Sequence, residues 1–253
     1  MGCTCAVCTS GDPRNNRTRC SLHIASPRTS ALIDSGPDLR EQALREGLTV
    51  VDAVVYTHAH LDHIVGFDEL RAFCWHRDTP LPMHAGPKTL ANLRTMFPWA
   101  FRTTYPGYIK PDPRVIDGPF AVGDLRFTPL PVEHAGIETF GFRVETPSGH
   151  SLAYISDVKS IPDATRRQME NLDVLIIDAL RPGAHPTHMT IEESLATVRD
   201  LAPARTFLTH LAHDIDFAET SAKLPPGVAL ATDGLKFVFQ RGDSCARVEP
   251  SPQ

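Results

Sequence analysis

Thr57-His58-Ala59-His60-Leu61-Asp62-His63 decides the reading of this chain, because it follows at once on the apolar run Ala53-Val54-Val55-Tyr56. A buried strand that ends here releases four potential ligands from one strand end. In extended backbone alternate residues point the same way, so His58 and His60 can converge on one metal ion. Asp62 and His63 lie just past the turn, within reach of a second ion. Neutral imidazole and carboxylate are the ligands that zinc and similar divalent ions take.

The rest of the composition sets limits on what such a site serves. The chain has 253 residues, 42% hydrophobic and 22% charged, which is enough for a full core and too apolar for disorder. A net charge of −5 disfavours a general nucleic-acid binder. No apolar run approaches the roughly 18 residues of a membrane span. The opening Met1-Gly2-Cys3-Thr4-Cys5-Ala6 has neither a charged n-region nor an apolar h-region, so a soluble, cytoplasmic protein with no membrane partner is expected. Three of the 6 cysteines stand at Cys3, Cys5 and Cys8, and without a secretory leader metal binding is the expected use of that cluster. Cys20, Cys74 and Cys245 read as core or surface thiols.

Short β-branched runs punctuated by turns predict strands at Ser21–Ala25, Ala31–Asp34, Ala53–Tyr56, Leu81–His84, Leu125–Leu130, Thr139–Glu145, Ser151–Ser156, Val174–Asp178, Thr206–Thr209 and Lys236–Gln240. Pro147-Ser148-Gly149 marks a hairpin between two of them. Helices are expected from an Asp38 cap to about Arg45, and at Lys88–Met96, Ala164–Asn171 and Ile191–Leu201, the last opened by a Thr190/Glu193 capping box. Pro98 to Pro119, with Trp99, Phe101, Tyr105 and Tyr108, reads as a long irregular insert that is either a pocket rim or a dimer surface. Strand clusters on both sides of it, each followed by helices, predict two mixed sheets packed face to face with helices outside, in one domain.

The segment 57–63 matches the HxHxDH motif of the metallo-β-lactamase superfamily, and the chain resembles that family from Cys3 to about Phe239. The resemblance implies an α/β fold of four layers, αββα, as a single domain over residues 1–253. It also implies further ligands at His134, at Asp157 as a bridge between ions, and at His210, all at or just beyond the ends of apolar strands. Asp34, in Leu32-Ile33-Asp34, resembles an earlier strand-end Asp that orients a His ligand. The start of the chain is similar to the phosphoribosyl cyclic phosphodiesterase branch, in which three cysteines and a histidine hold a structural zinc. Here these are Cys3, Cys5, Cys8 and His213, with the Cys-rich segment spanning residues 3–20. The same branch places a non-ligand His beside the substrate, implying that His188, rather than its neighbour His185, donates a proton or a hydrogen bond. The branch usually has a strand and a Gly-Thr-Gly turn ahead of the cysteines, where this sequence begins at Met1-Gly2-Cys3.

The implied protein is a hydrolase with two divalent ions, zinc or manganese, in its active site and one structural zinc. Asp62 and His188 are its catalytic candidates. The implied substrate is a small sugar- or nucleotide-phosphate diester, cyclic ones included. Arg71, Arg77, Arg94 and Arg102 are candidates for holding a phosphate, although single arginines are more often solvated surface. A homodimer is an open expectation. Thioester and lactam hydrolysis or a role in quinone-cofactor biosynthesis compete with this reading, and a non-catalytic zinc-binding protein is the competitor from another class.

Overall fold

The computed structural model describes residues 2–75, 77–102, 109–239 and 247–249. Tyr105, Tyr108, Cys245 and the Gln240 end of the last expected strand lie outside these residues. The chain divides into two compact units: one of Arg19–Pro129 with Ile137–Phe140, the other of Met1–Thr18, Leu130–Gly136 and Gly141–Gln253.

In the first unit, β1 (Leu22–Ser26) and β2 (Thr29–Ile33) form an antiparallel hairpin. The chain continues through α1 (Leu39–Glu46), β3 (Ala53–Val55), α2 (Leu61–Ile64), a 3-10 stretch Val65–Phe73, β4 (Leu81–Ala85), α3 (Pro87–Met96) and β5 (Pro111–Val115). The sheet order is β1-β2-β3-β4-β5, parallel from β2 onward. All three residues of β3 are buried, as expected of a strand covered on both faces. Phe67 and Leu70 of the 3-10 stretch and Leu93 of α3 pack with Val54 and Met83 in the core of this unit. β6 (Phe120–Val122) and β7 (Leu125–Pro131) close a further hairpin at Gly123. That glycine has φ +55°, and a Cβ there would run into Thr29.

In the second unit, β8 (Phe140–Glu145) and β9 (Ser151–Ile155) pair across the expected hairpin, with Gly149 at φ +87°. There follow α4 (Asp163–Arg167), β10 (Val174–Asp178), α5 (Ile191–Leu201), β11 (Arg205–Thr209), α6 (Phe217–Ser221) and β12 (Val228–Leu230). β9, β10, β11 and β12 run parallel, so their carboxyl ends lie along one edge. β13 (Lys236–Val238) and β14 (Arg247–Glu249) form a separate antiparallel pair. The capping box opens α5 as expected: Thr190 Oγ1 accepts the Glu193 N–H at 3.1 Å and the Glu193 carboxylate accepts the Thr190 N–H at 2.7 Å.

Three expectations need correction. The Pro98–Pro119 stretch contains β5, whose Pro111 and Pro113 are tolerated because the strand lies at a sheet edge. Asp38 stands at the start of α1 but makes no cap; its carboxylate accepts the Arg19 N–H at 2.7 Å instead. The helix expected to reach Asn171 ends at Arg167, and Asn171 adopts a left-handed φ of +54°. Among the described residues no helix is long and apolar enough to cross a membrane.

Candidate metal centre

Parallel pairing of β2 with β3 brings their carboxyl ends side by side, and the Asp34 N–H donates to Val55 O at 2.9 Å. The chain turns there: Asp34 is fully buried and has φ +64°, an uncommon conformation for a residue with a Cβ. Its carboxylate accepts three bonds at 2.8 Å, from the Thr57 N–H, the Thr57 hydroxyl and His63 Nδ1. With its proton given to Asp34, the Thr57 oxygen accepts from His58 Nδ1 at 2.9 Å. One carboxylate therefore sets two imidazoles, His63 directly and His58 through a hydroxyl, and both keep Nε2 as a lone-pair donor to a metal. Burial pushes the Asp34 carboxyl up from its ordinary value, and the donors aimed at it oppose that rise. His58 Nε2 lies 3.0 Å from His60 Nδ1, and Asp62 Oδ2 lies 3.8 Å from His63 Nε2. The four residues of the motif are thus gathered around its helical turn.

In the second unit, adjacent parallel strands end in Asp157 (two residues past β9), Asp178 (the last residue of β10) and His210 (just past β11). His210 has φ +58°, so the chain bends where this residue leaves the strand. Asp157 Oδ2 lies 3.2 Å from His210 Nε2 and 3.8 Å from His134 Nε2. His134 donates its Nδ1–H to Thr187 O at 2.8 Å, which frees Nε2 as a ligand atom. His188 differs from these, because its Nδ1 is bonded to Asp178 Oδ2 at 2.8 Å. Its ring is packed between those of His134 and His210, at centroid distances of 4.7 Å and 4.8 Å. Burial raises the Asp178 carboxyl, while the bond from His188 pulls it down.

Asp178 and Thr57 were not among the residues expected from the sequence. Val174-Leu175-Ile176-Ile177-Asp178 repeats the apolar-run-then-Asp pattern of Leu32-Ile33-Asp34, which was the available signal.

The N-terminal cysteines lie against His213. His213 Nδ1 lies 3.4 Å from Cys3 Sγ, 3.5 Å from Cys5 Sγ and 3.7 Å from Cys8 Sγ. A tetrahedral zinc with Zn–S of about 2.3 Å and Zn–N of about 2.05 Å separates such ligands by about 3.6 Å. The donor set and its spacing therefore fit a closed Cys3His zinc site. The Cys8 N–H, then His213, hold the Cys5 thiol down at about 6, and the bond to Cys5 pushes the Cys8 thiol up to about 11. Arg17 pins the neighbouring loop by donating to Ala212 O and Ile215 O at 3.1 Å and 2.6 Å.

The arginines offered as phosphate ligands are mostly committed elsewhere. Arg71 pairs with Asp68 at 3.0 Å, Arg77 donates to Val51 O at 2.8 Å, and Arg94 lies over the Phe101 ring at 5.1 Å. Cys74 is a buried core thiol and Cys20 is half-buried.

Comparison with known proteins adds the following. Residues 29–211 match the family model described as a beta-lactamase superfamily domain. The crystal structure of a diphosphatase of the PhnP family superposes with a TM-score of 0.86 at 38% identity, covering 93% of this chain and 89% of that one. An octanoyltransferase of Porphyromonas gingivalis is 34% identical over 99% of this chain, which spans only 51% of that protein's length. Zinc-bound PqqB of Methylobacterium extorquens shares the fold at a TM-score of 0.74 and 20% identity, covering 92% of this chain and 93% of that one.

Proposed function

Because the chain belongs to the β-lactamase superfamily of metal-dependent hydrolases, we propose that it is a binuclear phosphodiesterase acting on small sugar- or nucleotide-phosphate diesters, cyclic ones included. His58, His60, Asp62, His63, His134, Asp157 and His210 would hold two divalent ions, zinc or manganese, with Asp157 as the bridge. Such ions supply a nucleophile from water at neutral pH and neutralise charge on the reacting phosphoryl oxygens. Cys3, Cys5, Cys8 and His213 would hold a structural zinc, and that use of the thiols supports a reducing, cytoplasmic setting.

The observation that carries the hydrolytic reading is the buried Asp178–His188 pair. Asp178 accepts from His188 Nδ1 and so fixes the ring's orientation. Nε2 of that ring is then the group that gives a proton to the departing oxygen. Asp34 and Thr57 hold the tautomers of His63 and His58, so the ligand geometry is in place before substrate arrives. Likeness to the PhnP-family diphosphatase supports phosphorus, rather than carbon, as the atom attacked.

The octanoyltransferase relative favours a second reading, hydrolysis of a medium-chain acyl thioester at the same ligands. Metal-loaded protein is to be assayed with bis(p-nitrophenyl) phosphate, a ribose cyclic phosphate and an octanoyl thioester. Turnover of either phosphodiester is expected. Thioester hydrolysis without phosphodiester turnover would replace the first reading by the second, and no turnover of any of them would remove both.

A further inference from the structure

The thiols of the cysteine cluster are open to solvent and two of them share a turn. Cys3, Cys8 and His213 are exposed and Cys5 is half-buried, so a small solute reaches the sulfurs. Cys5 O accepts the Thr9 N–H at 3.1 Å, and the Cys8 N–H donates to Cys5 Sγ at 3.4 Å. Residues that open and close a turn lie within the roughly 7 Å of Cα separation that a disulfide spans. No two of the four ligand atoms of the cluster are more than 4.8 Å apart. A thiol that binds zinc does so as the thiolate, which is also the form that oxidants attack.

The loop held by this cluster also carries His210, with only Leu211 and Ala212 between it and His213. The Ala212 N–H donates to Leu180 O at 2.8 Å, and from the other side the N-terminal segment clamps the loop. Arg17 donates to Ala212 O and Ile215 O, while Asn15 accepts the Phe217 N–H and donates to Asp216, both at 2.9 Å. The Thr18 hydroxyl donates to Asp233 at 2.6 Å. Among the described residues, and outside the cluster itself, the hydrogen bonds from this segment to the rest of the chain begin at Asn15. For residues 3–12 the cluster is therefore the polar tie.

We propose that Cys5 and Cys8 are a peroxide-sensitive modification site, whose oxidation to a disulfide expels the zinc and loosens the loop that carries His210. One thiolate attacks the O–O bond of hydrogen peroxide, giving a sulfenic acid and a hydroxide ion. The second thiolate attacks that sulfur, forming the S–S bond and releasing a second hydroxide. Two thiolates thus lose two electrons and one peroxide gains them. Zinc is left with Cys3 and His213 alone, without the four ligands that close a structural site. A dithiol reductant supplied with zinc reverses the step. The proposal rests on the zinc reading of the cluster and, for its effect on the active site, on His210 as a metal ligand there.

The test uses the full chain, metal-loaded and reduced, then treated with hydrogen peroxide and desalted. Bound zinc is expected to fall by about one ion per chain by elemental analysis. Mass spectrometry after maleimide blocking is to show Cys5 joined to Cys8, and trypsin is to cut faster at Arg14 and Arg17. Dithiothreitol with zinc is to restore the starting state. The double variant Cys20→Ser/Cys245→Ser, which leaves the cluster intact, is expected to respond as wild type does. Zinc retained at peroxide levels that oxidise the methionines, zinc lost with Cys5 and Cys8 still open to maleimide, or no zinc at the cluster in the reduced protein each overturns the site. In competitive titration the oxidised protein is expected to bind its active-site metal about tenfold more weakly than the reduced protein. Equal affinities overturn the link to His210. None of these readouts needs turnover, so failure to hydrolyse phosphodiesters counts against the hydrolase reading alone.

Discussion

Thr57→Val tests whether a single hydroxyl carries the influence of Asp34 to His58. Valine keeps the shape and β-branching of threonine, and the Thr57 N–H bond to Asp34 at 2.8 Å is unaffected. The substitution removes the hydroxyl donated to Asp34 at 2.8 Å and leaves His58 Nδ1, in a fully buried residue, without the acceptor it has at 2.9 Å. An unsatisfied buried donor costs about 1–3 kcal/mol, which corresponds to a fall in metal affinity of roughly 5- to 150-fold if the cost appears on binding. Loss of a group that orients a metal-bound histidine typically weakens affinity by about 10–100-fold, in the same range. The assay is competitive metal titration against a chromophoric chelator, with 15N chemical shifts of His58 reporting which nitrogen is protonated. Thr57→Ser, which retains the hydroxyl, is expected to recover wild-type affinity and the wild-type tautomer. Wild-type affinity in Thr57→Val, with the His58 proton still on Nδ1, would refute the relay.

Other outcomes can be read from the same geometry. Asp178→Asn and His188→Asn are each expected to lower kcat by about 100-fold or more with metal content unchanged, and the double variant to lose little beyond either; additive losses would mean that the two do not act as a unit. His213→Ala or Cys5→Ser should reduce bound zinc by about one ion per chain, measured by elemental analysis, and loosen residues 3–20 toward protease; undiminished zinc would remove the N-terminal site. His84 is buried, stacks on Phe120 at 4.3 Å, and is held at about 4 by burial and by Arg114. Since the unfolded chain takes that proton first, stability falls as pH drops from about 6.5 to about 4, by about 3 kcal/mol at pH 4. Denaturant melts of His84→Leu across that range should show a correspondingly smaller acid loss than wild type, and parallel curves would exclude His84 as the source.

Much of the site was legible because its ligands stand where apolar runs stop. Ala53–Tyr56 followed by His58, His60, Asp62 and His63 is a local pattern, and so are Ile155 before Asp157 and Leu208 before His210. Strand interiors such as β3 and β10 were readable for a related reason: continuous burial demands continuous apolar sequence. β5 was hidden because an edge strand tolerates Pro111 and Pro113. Asp38 was misread as a cap because a carboxylate takes the donor that tertiary contact supplies, here the Arg19 N–H.

What the sequence determined alone was the identity and order of the candidate ligands, since residue type sets which atoms a metal accepts. The tertiary structure decided which nitrogen of His58, His63 and His134 is left to bind. Asp34 and Thr57 are 23 positions apart and Asp178 and His188 are 10 apart, so their bonds exist only once parallel strands and the loop before α5 bring them together. A tautomer is a property of what approaches the ring, and that is a distance no spacing along the chain contains.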